Sequence, residues 1–291
     1  MHNRNIIYDE IAGLLIIYMV VYHIIQQMGL QNSIYMDTLS YMNFFMPWFF
    51  YKGGVYFHAQ DIVTTIKKGF KRLLKPYIVW SFVGMIVFAY IACYIEDAHT
   101  LWGYVKMNVY FFLTEGAISG NLPLWFLLAL FVVRILLNIC VNCGLSIIEP
   151  AILGIMVATL LYFLNISLPY YFSYISSGLF FFGMGAVMRD VSQKTFFQLG
   201  CIVVYMCLSI VSKPIVDIRT NSLSEGYYLL WPIWSLAGIV TINTLFQYFH
   251  KTLKISVPFL SYIGKHSLII YVIHWPILLL IYRVILPKSI C

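Results

Sequence analysis

The sequence predicts an all-α fold: a polytopic transmembrane helical bundle of nine to ten crossings, in a single domain over residues 1–291. Three observations predict it. Hydrophobic residues fill 62% of the 291 positions and charged residues 10%, where a soluble domain is nearer a half and a quarter; mean hydropathy is +0.85. Apolar runs of about 20 residues, the length that crosses a bilayer, recur from one end of the chain to the other. The polar stretches between them are too short to fold in water. A soluble globule, a disordered chain and a secreted disulfide scaffold are excluded on these grounds. The excess apolar surface is assigned to lipid.

The first span, 6–27, opens on Asp9 and Glu10 and runs apolar to His23. It lacks a small-residue cleavage site and is expected to be retained rather than removed as a signal peptide. The second, 41–57, ends in Lys52-Gly53-Gly54. Before the third, 75–95, lie Lys67, Lys68, Lys71, Arg72 and Lys75 against the single acid Asp61. The stretch 102–113 is apolar but short: a tilted crossing, a re-entrant piece or an interfacial helix. It decides between nine crossings and ten. Spans at 123–143, 147–165, 171–188, 196–213, 227–249 and 266–286 follow. They are divided by turn signals such as Asn121-Leu122-Pro123, Glu149-Pro150 and Lys213-Pro214.

The net charge of +7 is read as cytoplasmic loops. The basic cluster and Arg4 place the N-terminus in the cytoplasm, and Asp37, Glu96 and Asp97 suit the outer side. Arg189, Lys194, His250, Lys251 and Lys254 then sit inside if the chain crosses nine times. Nucleic acid is not expected as a partner, since no soluble basic face exists to bind it. Of the six cysteines, Cys140 and Cys143 form a lone CxxC with no second pair, so no metal site is expected.

Ionisable groups inside membrane helices cost about 2–3 kcal/mol or more and are functional candidates by default. His23 is the clearest. It reads either as a hydrogen-bonded interface histidine or as a general base, since imidazole exchanges protons near neutral pH. Asp9 and Glu10 lie about 20 Å away along the same helix, and read as charge stabilisation of its N-terminus. His274 stands beside Pro276, which breaks the backbone ladder; it either satisfies a freed group or serves the site. Lys52 either snorkels or uses the adjoining glycines for close approach to a ligand. Arg134 requires a partner or a wet cavity. The run from Lys67 to Tyr77 reads as topology and anionic-lipid contact, as a phosphate-binding patch, or as both.

Six segments, in order, carry a resemblance. They are the opening helix with Asp9, Gly13 and His23; Phe45 to Gly54; Lys71 to Tyr77, with Arg72 and Lys75 as a basic pair; Leu124 to Leu130; Phe180 to Gly185; and Tyr262 to Pro276. The chain resembles the integral-membrane acyltransferase 3 family, in its branch similar to fucose 4-O-acetylases. The resemblance implies transfer of an acyl group, usually acetyl from acetyl-CoA, to a hydroxyl of a cell-envelope carbohydrate or related extracytoplasmic acceptor. It implies a multi-pass protein of the bacterial cytoplasmic (inner) membrane, with membrane lipid and a glycan acceptor as partners. His23 would be the base or acyl-relay residue; Lys71, Arg72 and Lys75 would hold the phosphates of the acyl-CoA donor. Asp9, Lys52 and His274 are candidates for the cavity. The family's basic residue, eleven positions before the histidine, falls on Ala12 here, and Lys52 is a candidate for the missing charge. Two alternatives are a transporter or flippase of a lipid-linked sugar, and a catalytically degenerate member.

Overall fold

The computed structural model describes residues 5–30, 33–95, 100–165 and 169–285. Arg4, Glu96, Asp97 and Cys291 lie outside them. The chain is a helical membrane bundle. Its elements are α1 (Ile6–Gln27), α2 (Ile34–Ser40), α3 (Phe45–Val55), α4 (Ile62–Gly69), α5 (Lys75–Tyr90), α6 (Leu101–Glu115) and α7 (Trp125–Asn142). After these come α8 (Ile148–Leu164), α9 (Tyr170–Val187), α10 (Thr195–Val211), α11 (Trp231–Lys251), α12 (Pro258–Lys265) and α13 (Ser267–Leu280). A hairpin of β1 (Ile215–Asp217) and β2 (Ser222–Glu225) joins α10 to α11.

Among the described residues, five helical stretches are long and apolar enough to cross a membrane: 6–27, 62–95, 101–142, 228–251 and 267–285. The helices Ile148–Leu164 and Thr195–Val211 are shorter and apolar. The run of about 20 residues expected at 41–57 is realised differently. Its helical part, α3, has 11 residues, about 16 Å at 1.5 Å per residue, half a bilayer core. Seven of its residues are buried, so protein rather than lipid surrounds it. The expected break before residue 75 is absent, because a π-helical turn at Phe70–Leu74 carries α4 straight into α5. The stretch 102–113 is helical throughout, within α6.

Trp48, Tyr51, Phe181, Trp231 and Trp234 form the fully buried centre. By contrast, α10 buries no residue, and its Phe196 and Ile210 are 91% and 81% exposed. Such a face belongs against lipid. Glycines let backbones meet. A Cβ on Gly264 would stand 1.8 Å from the Asp9 carbonyl oxygen, and one on Gly13 would stand 2.1 Å from that of Leu260. The crossing of α3 with α9 is built alike, through Gly54 and Gly185. Close approach through small residues is the usual substitute for hydrophobic drive between membrane helices.

The acidic start of α1 is more than a terminal charge. Asn5 caps the helix, accepting from the Ile7 N–H. Glu10, 1% exposed, accepts from His250 Nε2 at 2.7 Å, Ser256 Oγ at 2.8 Å and the Val257 N–H at 2.9 Å. One carboxylate thus ties α1 to the end of α11 and the entry of α12. Glu10→Ala would strand three donors; the expected loss of stability is about 3 kcal/mol. Thermal unfolding in detergent checks this, and a variant as stable as the parent refutes the tie.

Candidate active site

The two ends of α1 do different work. Its first half is held by α12 and Glu10; its last turns, some 20 Å away, carry His23. That side chain is half-buried. Its Nδ1 lies 2.9 Å from Gln26 Oε1. An amide oxygen only accepts, so Nδ1 carries the proton and Nε2 keeps the lone pair. Two rings from α13 fix the imidazole. His274 stacks on it, centroids 5.3 Å apart and planes 23° from parallel, and Trp275 meets it edge-on at 5.1 Å.

His274 is buried, 5% exposed. Its Nδ1 donates to the Tyr271 carbonyl at 2.6 Å, and its Nε2 has no hydrogen-bond partner among the described residues. Pro276 supplies no N–H to the Val272 carbonyl four residues earlier. That carbonyl is satisfied by Asn121 Nδ2 at 3.0 Å, not by His274. Asn121 reaches it from a 3₁₀ turn whose backbone it breaks (φ −154, ψ 62).

His23 and Gln26 face a cavity of about 220 Å³. Trp125 and Trp275 supply aromatic walls, and Asn43, Asp217, Arg219 and Ser224 supply polar ones. Asp217 and Arg219 come from the hairpin and the turn after β1. Asn43 Nδ2 donates to the Val216 carbonyl at 3.1 Å, which pins β1 to the bundle. Asn221 pins the turn, donating to the Ala158 carbonyl at 2.8 Å and accepting from Tyr228 Oη at 2.6 Å. Arg219 is ion-paired with Glu115 and lies over the Tyr170 ring.

Of the residues singled out from sequence, His23 lines this cavity and His274 backs it. Asp9 is buried at the far end of α1. Lys52 is there too, donating to the Tyr8 carbonyl at 3.2 Å over the Trp48 ring. Lys71, Arg72 and Lys75 are exposed on the π-helical turn and the start of α5, away from the cavity wall. Arg72 stands within electrostatic range of Arg134, which brings one more cation to that patch. Cys140 and Cys143 are free thiols. No metal-binding cluster of His, Cys, Asp and Glu occurs among the described residues. Sequence reasoning missed Asn43, Asp217 and Arg219. The signal for the last two was present: Asp217 and Arg219 stand two apart, acid then base, in a polar loop between spans.

Residues 11–290 match the family model described as an acyltransferase domain. The chain belongs to the acyltransferase 3 family. No curated protein and no solved structure matches it. Of the six segments that carry the resemblance, scattered along the chain, four meet in two pairs. The opening helix meets the last motif at Gly13 and Gly264, and Phe45 to Gly54 meets Phe180 to Gly185 at Gly54 and Gly185. Ala12, where the acyltransferase 3 pattern has a basic residue, is fully buried. It lies one turn beyond Tyr8, the residue that receives Lys52.

Proposed function

We propose that this membrane acyltransferase moves an acetyl group from acetyl-CoA to a hydroxyl of a cell-envelope carbohydrate, in the manner of the fucose 4-O-acetylase-like branch. The observation that carries this reading is the polar, tryptophan-walled cavity into which His23 presents an imidazole of defined tautomer. The His23 Nε2 lone pair takes the proton of the acceptor hydroxyl as its oxygen adds to the thioester carbonyl. The C–S bond then breaks, and the imidazolium returns the proton to the departing thiolate. The products are the ester and the free thiol. Gln26 keeps the Nδ1 proton in place throughout.

The donor's phosphates fall to Lys71, Arg72 and Lys75. No carboxylate pairs with any of the three among the described residues, which leaves their donors for an anion. The N-terminus and this basic patch are assigned to the cytoplasmic face of the inner membrane, by the excess of lysine and arginine there, and His23 to the outer half. Lys52, hydrogen-bonded to the Tyr8 carbonyl one turn before Ala12, supplies positive charge near the family's missing basic residue.

The test is transfer of label from radiolabelled acetyl-CoA to envelope glycan in membranes containing the protein. No transfer above that of membranes lacking it overturns the proposal. In the same assay, Lys71→Ala/Arg72→Ala/Lys75→Ala is expected to raise KM for acetyl-CoA about tenfold or more, with kcat little changed. An unaltered KM would leave the patch a topology signal alone.

A further inference from the structure

The acyl-transfer reading puts the acceptor in the His23 cavity, and the charges around that cavity bear on which acceptor fits. Among the described residues two formal charges line it, Asp217 and Arg219. Arg219 is neutralised from behind by Glu115, a side chain 11% exposed, to which its guanidinium is hydrogen-bonded. The Asp217 carboxylate has no such partner. One of its oxygens accepts from the Arg219 backbone N–H at 2.9 Å, and no basic side chain pairs with it among the described residues. It is exposed and acts electrostatically on His23 and Tyr22. His23 is neutral when it serves as a base. Among the described residues the cavity therefore carries one uncompensated negative charge, on an exposed side chain beside apolar aromatic walls.

Size narrows the occupant further. A cavity of about 220 Å³ exceeds the roughly 150 Å³ that accommodates a benzene ring, so one six-membered ring has room in it. Two tryptophans offer flat apolar faces, and the amides of Asn43 and Gln26 with the Ser224 hydroxyl offer donors and acceptors around them, the usual make-up of a small-molecule site.

We infer that this cavity accepts a single neutral or amine-bearing sugar ring and rejects acidic sugars, and that Asp217 on the hairpin is the residue that makes the distinction. The inference rests on the acyl-transfer reading for its biological meaning, and on the charge arrangement for its content. Repulsion of a carboxylate by a nearby carboxylate in such a site is worth about tenfold in affinity. Rejection by misplaced like charge is a common source of specificity.

The experiment titrates the full-length protein in detergent with three methyl glycosides, those of glucose, glucosamine and glucuronic acid. Quenching of tryptophan fluorescence is the readout. The glucoside and glucosaminide are expected to bind at least about tenfold more tightly than the glucuronide. Asp217→Asn keeps an oxygen for the Arg219 N–H and removes only the charge; it is expected to close the gap. Equal or tighter binding of the glucuronide overturns the inference, as does failure of all three to bind. So does undiminished discrimination in Asp217→Asn. Label transfer from acetyl-CoA is scored separately, so a protein that acetylates but prefers the glucuronide refutes this inference and leaves the acyl-transfer reading standing.

Discussion

His23→Ala is expected to lower acyl transfer by about 10²- to 10⁴-fold, the usual contribution of a positioned acid–base group, while the protein folds and inserts as before. The first part follows from position. His23 lines the cavity, and the Gln26 amide oxygen 2.9 Å from Nδ1 leaves Nε2 as the proton-accepting nitrogen. The second follows from its half-buried state: truncation removes one hydrogen bond and a ring stack but opens no gap in the fully buried core. KM for acetyl-CoA is expected to stay near the parent value, because the basic patch is elsewhere. Gln26→Leu should give a smaller loss of kcat, since it frees the tautomer without deleting the base. Label transfer, with thermal unfolding as a control for fold, distinguishes the cases. Transfer undiminished in His23→Ala removes this residue from the chemistry.

Gly264→Ala is expected to be the more damaging change for the fold. The new Cβ would meet the Asp9 carbonyl oxygen at 1.8 Å and the carbonyl carbon at 2.6 Å. Both atoms belong to helical backbone and cannot swing aside, so α12 must lift from α1. Lifting α12 also pulls Ser256 and Val257 from Glu10. Overpacking alone costs about 1–3 kcal/mol, and the broken polar tie adds to it, so a loss of about 3 kcal/mol or more is expected. Gly200 is the control. Nothing lies within 4 Å of a Cβ built there, so Gly200→Ala in α10 should be neutral or stabilise by up to about 1 kcal/mol through helix propensity. Melting temperatures in one detergent make the comparison. Equal melting of the two variants would contradict the close crossing of α1 and α12.

Most of the bundle was legible from the sequence, for a physical reason. A bilayer demands apolar length, and apolar length is visible one residue at a time. What escaped depends on packing between distant segments. The 11 helical residues of α3 carry the apolar signature of a longer span, yet α9 and α1 rather than lipid cover them. The continuity of α4 into α5 hangs on a π turn that no composition announces. Glu10 read as a helix-terminal charge because its three donors lie some 240 residues further on. His23 was legible as an ionisable group in an apolar run, but its partners His274 and Trp275 meet it only through the fold. The hairpin was invisible as a strand pair, since seven residues of strand between membrane helices give no alternation strong enough to read.

The hairpin pairs its two strands with each other and is moored to the bundle at Asn43 and Asn221 and through the buried Val216 and Ile218. Its exposed positions, Asp217, Ser222 and Ser224, can therefore be rewritten by mutation without disturbing the packing of the helices that carry the imidazole. Lineages descended from such an architecture would be free to diversify what they decorate while inheriting the reaction unchanged. A graft exchanging only residues 215–225 between two relatives is the smallest unit by which that inheritance could be divided.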